Sequence, residues 1–300
     1  MPQPPEPPVR LPPGCVVDVP GRGEMFVRDT GGDGPVVLLL HGWMASADLN
    51  WATAFGALAG AGYRAIAVDH RGHGRGLRTP EPFTLRDCAD DAAALVETLG
   101  CGPVLAVGYS MGGPIATLLA KHHPDVVSGV VLCATALDWQ EPRLKWFWRG
   151  MAVLRLVLGL FPNAAWRWGL RRLGLPDSPQ TSWMASELSR SSARDVAEAG
   201  RELGRYDARP WAATVDVPAA VVVTTKDREV PPPKQRALAE ALDARSFEVE
   251  GDHMVVGTHP DRFMAALLAA LESVRSSGPR ETRGSDRRES RDSPAAAARR

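Results

Sequence analysis

The chain has 300 residues, 44% hydrophobic and 23% charged, enough apolar material for one large core or two ordinary ones, which excludes disorder or collagen for its body. Thirty-five lysines and arginines balance 35 aspartates and glutamates, so no net field selects nucleic acid or another polyanion. Cys15, Cys88, Cys101 and Cys133 are scattered without Cys-x-x-Cys spacing, which speaks against a zinc site or disulfide framework and for reduced thiols.

Residues 1–13 contain seven prolines and read as a flexible or extended arm. The start has neither the basic end nor the apolar stretch of a leader, and no run approaches the ~18 apolar residues needed to cross a bilayer. The expected address is cytoplasmic. Residues 16–27 suggest a hairpin turning at Pro20-Gly21-Arg22-Gly23. Beyond it, short apolar runs alternate with amphipathic stretches, the pattern of parallel strands joined by crossover helices. Strands are expected at 36–40, 65–68, 104–107, 130–133, 219–224 and 247–249, and helices at 51–61, 85–99, 111–121, 233–242 and 260–274. The fold class is α/β, a mostly parallel central sheet with helices on both faces. Its core comprises residues 14–137 and 211–274.

Residues 138–210 interrupt this alternation with no strand pattern and hold six of the nine tryptophans, so they are expected to form a helical cap or lid. From 139 to 175 seven lysines and arginines face a single acid, Glu141, among aromatic and aliphatic residues. An amphipathic stripe of this kind reads first as a lid packing over a pocket, and it also admits weak contact with an anionic membrane surface. Residues 275–300 carry eight arginines and four acids without apolar periodicity, the signature of a disordered tail.

The strongest chemical signal is Gly108-Tyr109-Ser110-Met111-Gly112, directly after one apolar run and directly before a helical pattern. A serine at such a strand-to-helix turn is strained and exposed, and its flanking glycines avoid collisions with the neighbouring strand or helix. The hydroxyl needs a base. His253 follows the last strand on a glycine-containing loop, at the same sheet edge as Ser110. His259 suits helix capping or packing, and His122 and His123 suit the surface near a helix end. An acid must orient the imidazole. Asp227, after the strand at 219–224, gives the chain order Ser, Asp, His, whereas Asp138 is the alternative acid and Glu229 a less favoured neighbour. For a developing oxyanion, the backbone N–H groups of Met111 and Trp43 are the candidate donors, the latter following the turn His41-Gly42.

Together these residues resemble the α/β-hydrolase family over residues 16–271. The resemblance rests on the serine elbow, His41-Gly42-Trp43-Met44, the loop Asp69-His70-Arg71-Gly72-His73-Gly74, Asp227 with its following Val-Pro, and Gly251-Asp252-His253. It implies a serine nucleophile, an acid, a histidine base, a lid inserted before the acid-bearing strand, and structural roles for His70 and His73. Relatives with an aspartate nucleophile, such as dehalogenases and epoxide hydrolases, are disfavoured by Ser110. The expected function is hydrolysis of a small ester with an apolar acyl group, or of a lipid ester, with no metal or organic cofactor. Cofactor-free haloperoxidase or perhydrolase activity is one alternative, and a non-catalytic binding module on the same fold is another.

Overall fold

The computed structural model describes residues 6–140 and 145–277, so most of the expected tail and the first five residues of the expected arm lie outside the described residues. The apolar runs become one eight-stranded sheet. Gly14–Val19 (β1) and Gly23–Asp29 (β2) form the antiparallel hairpin, and β2 pairs antiparallel with Arg64–Val68 (β4). The remaining pairings are parallel and use Val36–Leu40 (β3), Val104–Tyr109 (β5), Val127–Cys133 (β6), Ala219–Thr224 (β7) and Arg245–Val249 (β8). The spatial order is β1-β2-β4-β3-β5-β6-β7-β8.

Strand alternation divides the core in two. Leu38, Leu40, Val104, Ala106, Val130 and Leu132 face one apolar cluster, while Val37, Leu39, Leu105, Val107 and Val131 face the other. Burial on both faces is why these strands read as continuous apolar runs rather than as alternating ones. One cluster is closed by Leu85–Leu99 (α3), Gly112–His122 (α4) and Pro232–Ala241 (α10); the other by Ala47–Trp51 (α1), Ala54–Gly60 (α2) and Pro260–Ser276 (α12). The helix expected at 51–61 forms only over Ala54–Gly60, and the short α1 before it, not expected from the sequence, is capped by Ser46, whose side chain accepts the Leu49 N–H. The last helix runs through Ser276, past the boundary read at 274.

Between β6 and β7 the chain forms only helices among the described residues: Lys145–Arg149 (α5), Met151–Leu160 (α6), Pro162–Arg172 (α7), Pro179–Ser189 (α8) and Ala193–Arg205 (α9). Val255–Thr258 (α11) is a short helix that sequence patterning did not reveal. No helix among the described residues is long and apolar enough to cross a membrane.

Strand order sets where a site can form. From β3 the chain crosses to β4 on one side, whereas β5 lies on the other side of β3. The crevice at the carboxyl ends of β3 and β5 is therefore a topological switch point, the usual place for a ligand in an open α/β sheet.

Candidate active site

Ser110 occupies the turn from β5 into α4 with φ 52°, a left-handed conformation that costs a residue with a Cβ about 1–2 kcal/mol. The turn is held from several sides: the Ser110 N–H donates to the Cys133 carbonyl at 2.9 Å, and the Ser110 carbonyl accepts from the Gly113 N–H at 2.9 Å and the Thr135 hydroxyl at 2.8 Å. A Cβ on Gly108 would overlap the backbone of Gly112, and one on Gly112 would overlap the Leu40 carbonyl. Both glycines thus let strand and helix approach closely enough to expose the serine at the N-terminus of α4, where the helix dipole favours negative charge.

Around Ser110 the ends of other strands converge. The His253 Nε2 lies 3.0 Å from Ser110 Oγ, and its Nδ1 lies 2.7 Å from Asp227 Oδ2. Asp227 Oδ1 accepts the N–H groups of Glu229 and Val230, each at 2.9 Å, and Oδ2 accepts the Thr224 hydroxyl at 2.8 Å. Burial opposes the carboxylate charge. The bond to His253, that residue's charge, the Val230 amide and the Thr224 hydroxyl outweigh it and hold the carboxyl below its ordinary range. With Asp227 accepting at Nδ1, the neutral imidazole carries its proton there and presents a basic Nε2 to Ser110. Such a chain can draw the hydroxyl proton onto Nε2 while Asp227 steadies the resulting imidazolium.

The His41-Gly42-Trp43 turn follows β3 and borders the serine. A Cβ built on Gly42 would lie 3.3 Å from the Ser110 Cβ, and the Gly42 N–H donates to Asn50 Oδ1 at 2.9 Å. Neither the Trp43 nor the Met111 backbone N–H donates to a protein acceptor among the described residues, which leaves both available beside Ser110. The Trp43 indole is anchored instead of free: Nε1 donates to the Val196 carbonyl on α9 at 2.8 Å, and the ring meets Phe147 at 5.9 Å and Trp148 at 5.7 Å.

Asp138 is not brought to His253. Its Oδ1 lies 3.2 Å from Lys234 Nζ and its backbone forms an isolated antiparallel β-bridge with Asp207, because its loop turns into the helical insertion instead of across the sheet edge. His259 stands at the N-cap of α12, but its side chain caps nothing and contacts the Thr258 hydroxyl. His123 lies 2.7 Å from Asp90 and is half-buried. His41, His70 and His73 are buried together. His41 Nε2 accepts the His70 backbone N–H at 3.0 Å, which ties the turn after β3 to the Asp69–Gly74 loop. That loop also holds the insertion, since the Gly72 carbonyl accepts the Ser192 N–H at 2.8 Å.

Sequence reasoning did not single out Tyr109, Thr224, Asn50 or Gln235. The Gln235 amide nitrogen donates to the Thr224 hydroxyl at 2.7 Å, fixing the residue that in turn holds Asp227. Each looks like an ordinary core or loop residue, and only proximity gives it a role. Among the described residues the donor atoms of Asp227, Glu229 and His253 lie within 4.8 Å of one another, but the Asp227 and His253 atoms already bond each other.

Residues 35–260 match a family model described as the alpha/beta hydrolase fold. A stretch of 100 residues is 38% identical to epoxide hydrolase B of Mycobacterium tuberculosis and covers 33% of this chain and 28% of that protein, so the match spans little more than a quarter of that relative. The pimeloyl-[acyl-carrier protein] methyl ester esterase of Chromobacterium violaceum is 31% identical over 264 residues, 83% of this chain and 98% of its own length. The crystal structure of the enol-lactonase from Burkholderia xenovorans LB400 superposes with a TM-score of 0.71 at 25% identity, covering 86% of this chain and 100% of that one.

Proposed function

The chain belongs to the α/β-hydrolase family, and from that premise we propose that it is a serine hydrolase of carboxylic esters acting through an acyl-enzyme. The observation that carries the proposal is His253 bridging Ser110 and Asp227 at 3.0 and 2.7 Å.

In the proposed reaction Ser110 Oγ attacks the ester carbonyl as His253 Nε2 takes its proton. Asp227 stabilises the imidazolium without itself taking the proton. The Met111 and Trp43 amides receive the oxyanion, each such donor typically contributing ~100–1000-fold in rate. Collapse of the tetrahedral adduct breaks the ester C–O bond, and His253 returns the proton to the leaving alkoxide. Water, deprotonated by the same imidazole, then attacks the acyl group and restores Ser110. The Trp43, Phe147 and Trp148 rings beside the turn favour an apolar acyl group or a lipid ester. The helices between β6 and β7 serve as the lid in this reading.

A fluorophosphonate probe tests the nucleophile. Labelling of the wild-type chain and not of Ser110→Ala is expected, followed by turnover of aryl esters that changes with acyl length. A chain that resists the probe while its fold is intact would instead be a binding module.

A further inference from the structure

Twelve large hydrophobic side chains are exposed among the described residues, and nine of them fall between residues 146 and 173. Trp146, Leu173 and Trp168 are 76%, 77% and 60% exposed. The centre of this face is α6, Met-Ala-Val-Leu-Arg-Leu-Val-Leu-Gly-Leu, in which only Met151 and Leu158 are buried. A helix apolar around most of its circumference is stable in water only when something covers it. At ten residues α6 is about 15 Å long, half the ~30 Å of a hydrocarbon core, so it cannot span a bilayer but can lie along one.

Charge decides what covers it. Residues 145–173 include six lysines and arginines and no aspartate or glutamate. Arg149 stacks 5.0 Å from the Trp146 ring centre and Arg172 4.7 Å from that of Trp168, so the exposed indoles carry cations beside them. Arg167 and Arg171 also reach Asp177, through an exposed pairing that contributes little. A second copy of this chain is a poor partner, since a two-fold face-to-face contact would bring together two faces that each carry six cations and no acid between residues 145 and 173. Tryptophan and arginine around an aliphatic centre match instead the headgroup level and acyl boundary of an anionic bilayer.

We propose that the α5 to α7 face docks flat on anionic phospholipid, with Trp146 and Trp168 among the headgroups and Leu156 and Leu160 at the acyl boundary. The docked face adjoins the serine site, because Phe147 and Trp148 of α5 touch Trp43 in the turn beside Ser110. Docking is independent of the chemistry at Ser110, and Ser110→Ala is expected to bind as wild type does.

Co-sedimentation of the full chain with vesicles tests it, comparing phosphatidylcholine alone with phosphatidylcholine mixed with phosphatidylglycerol. Binding to the anionic vesicles only, weakening as salt rises, is expected. Arg149→Gln with Arg172→Gln is expected to weaken it about thirtyfold, and Leu156→Asp to weaken it further, with melting temperatures near wild type. Equal binding to neutral vesicles, or none to either, overturns the proposal. So does wild-type binding by the variants, which would assign it to another part of the chain. A wild-type dimer that Leu156→Asp dissociates, seen by sedimentation velocity without lipid, would assign the face to a second copy.

Discussion

The phenol of Tyr109 donates a 2.8 Å hydrogen bond to the main-chain carbonyl of His253, and its ring meets the imidazole edge-on at 5.8 Å. The last residue of β5 thus fixes the loop after β8, across the sheet positions of β6 and β7. Tyr109→Phe keeps the ring and removes the bond. A loss of about 0.5–1.5 kcal/mol in unfolding free energy is expected. Turnover should fall about tenfold with KM nearly unchanged, because a loosened imidazole disturbs proton transfer more than substrate binding. Urea melts and steady-state kinetics check both, and an unchanged kcat would leave Tyr109 with a packing role alone.

Strain at the elbow separates two substitutions that both remove the hydroxyl. At φ 52° the Cβ of residue 110 is unfavourable, and glycine relieves that cost whereas alanine does not. Both variants should lose ester hydrolysis, while Ser110→Gly should be more stable than Ser110→Ala by roughly 1 kcal/mol after the greater entropy of unfolded glycine is subtracted. Thermal melts of the pair decide it, and a less stable glycine variant would mean the turn is relaxed as it stands.

What could be read in advance follows from burial. The strands β3 and β7 were legible to the residue because burial on both faces leaves an uninterrupted aliphatic run bounded by polar turns. The elbow was legible because its two glycines answer a local collision between consecutive elements. The short helix α1 was not legible, because five residues, Ala-Asp-Leu-Asn-Trp, are too few to show a helical period. The supports of the site were invisible for another reason. Tyr109 has the character of any buried strand residue, and its bond to His253 joins positions 144 residues apart. The choice between Asp227 and Asp138 also exceeded local patterning, since each follows the carboxyl end of a strand.

That choice has a direct test. Asp227 holds the His253 Nδ1, whereas Asp138 pairs with Lys234. In Asp227→Asn the amide oxygen keeps the Glu229 and Val230 N–H bonds and the NH2 faces Nδ1, donating to it and forcing the imidazole proton onto Nε2, so turnover should fall roughly ten-thousandfold. Asp138→Asn should stay within a few-fold of wild type and change stability by less than about 1 kcal/mol. Matched kcat values for purified, folded variants distinguish them, and the reverse pattern would transfer the acid's role to Asp138.

The imidazole cluster beneath the site predicts acid sensitivity. Burial pushes His41 down to about 4 and His73 to about 3, and it drives His70 well below the ordinary 6.5, helped by its histidine neighbours. All three are neutral in the native state, so as pH falls below 6.5 the unfolded chain takes up protons that the folded chain refuses. Their contribution to stability is intact above that value and declines steadily until the folded groups protonate. At pH 5 the loss should be roughly 2 kcal/mol for each of His41 and His73, with His70 acting in the same direction. Asp227, held below the ordinary 3.8, acts only at lower pH, while burial raises Asp69 and Asp91, whose proton uptake in the fold offsets part of the loss. Urea unfolding from pH 7 to pH 5 should therefore show a falling midpoint with proton uptake on unfolding. A midpoint that stays level across that interval would mean the cluster can accept charge within the fold.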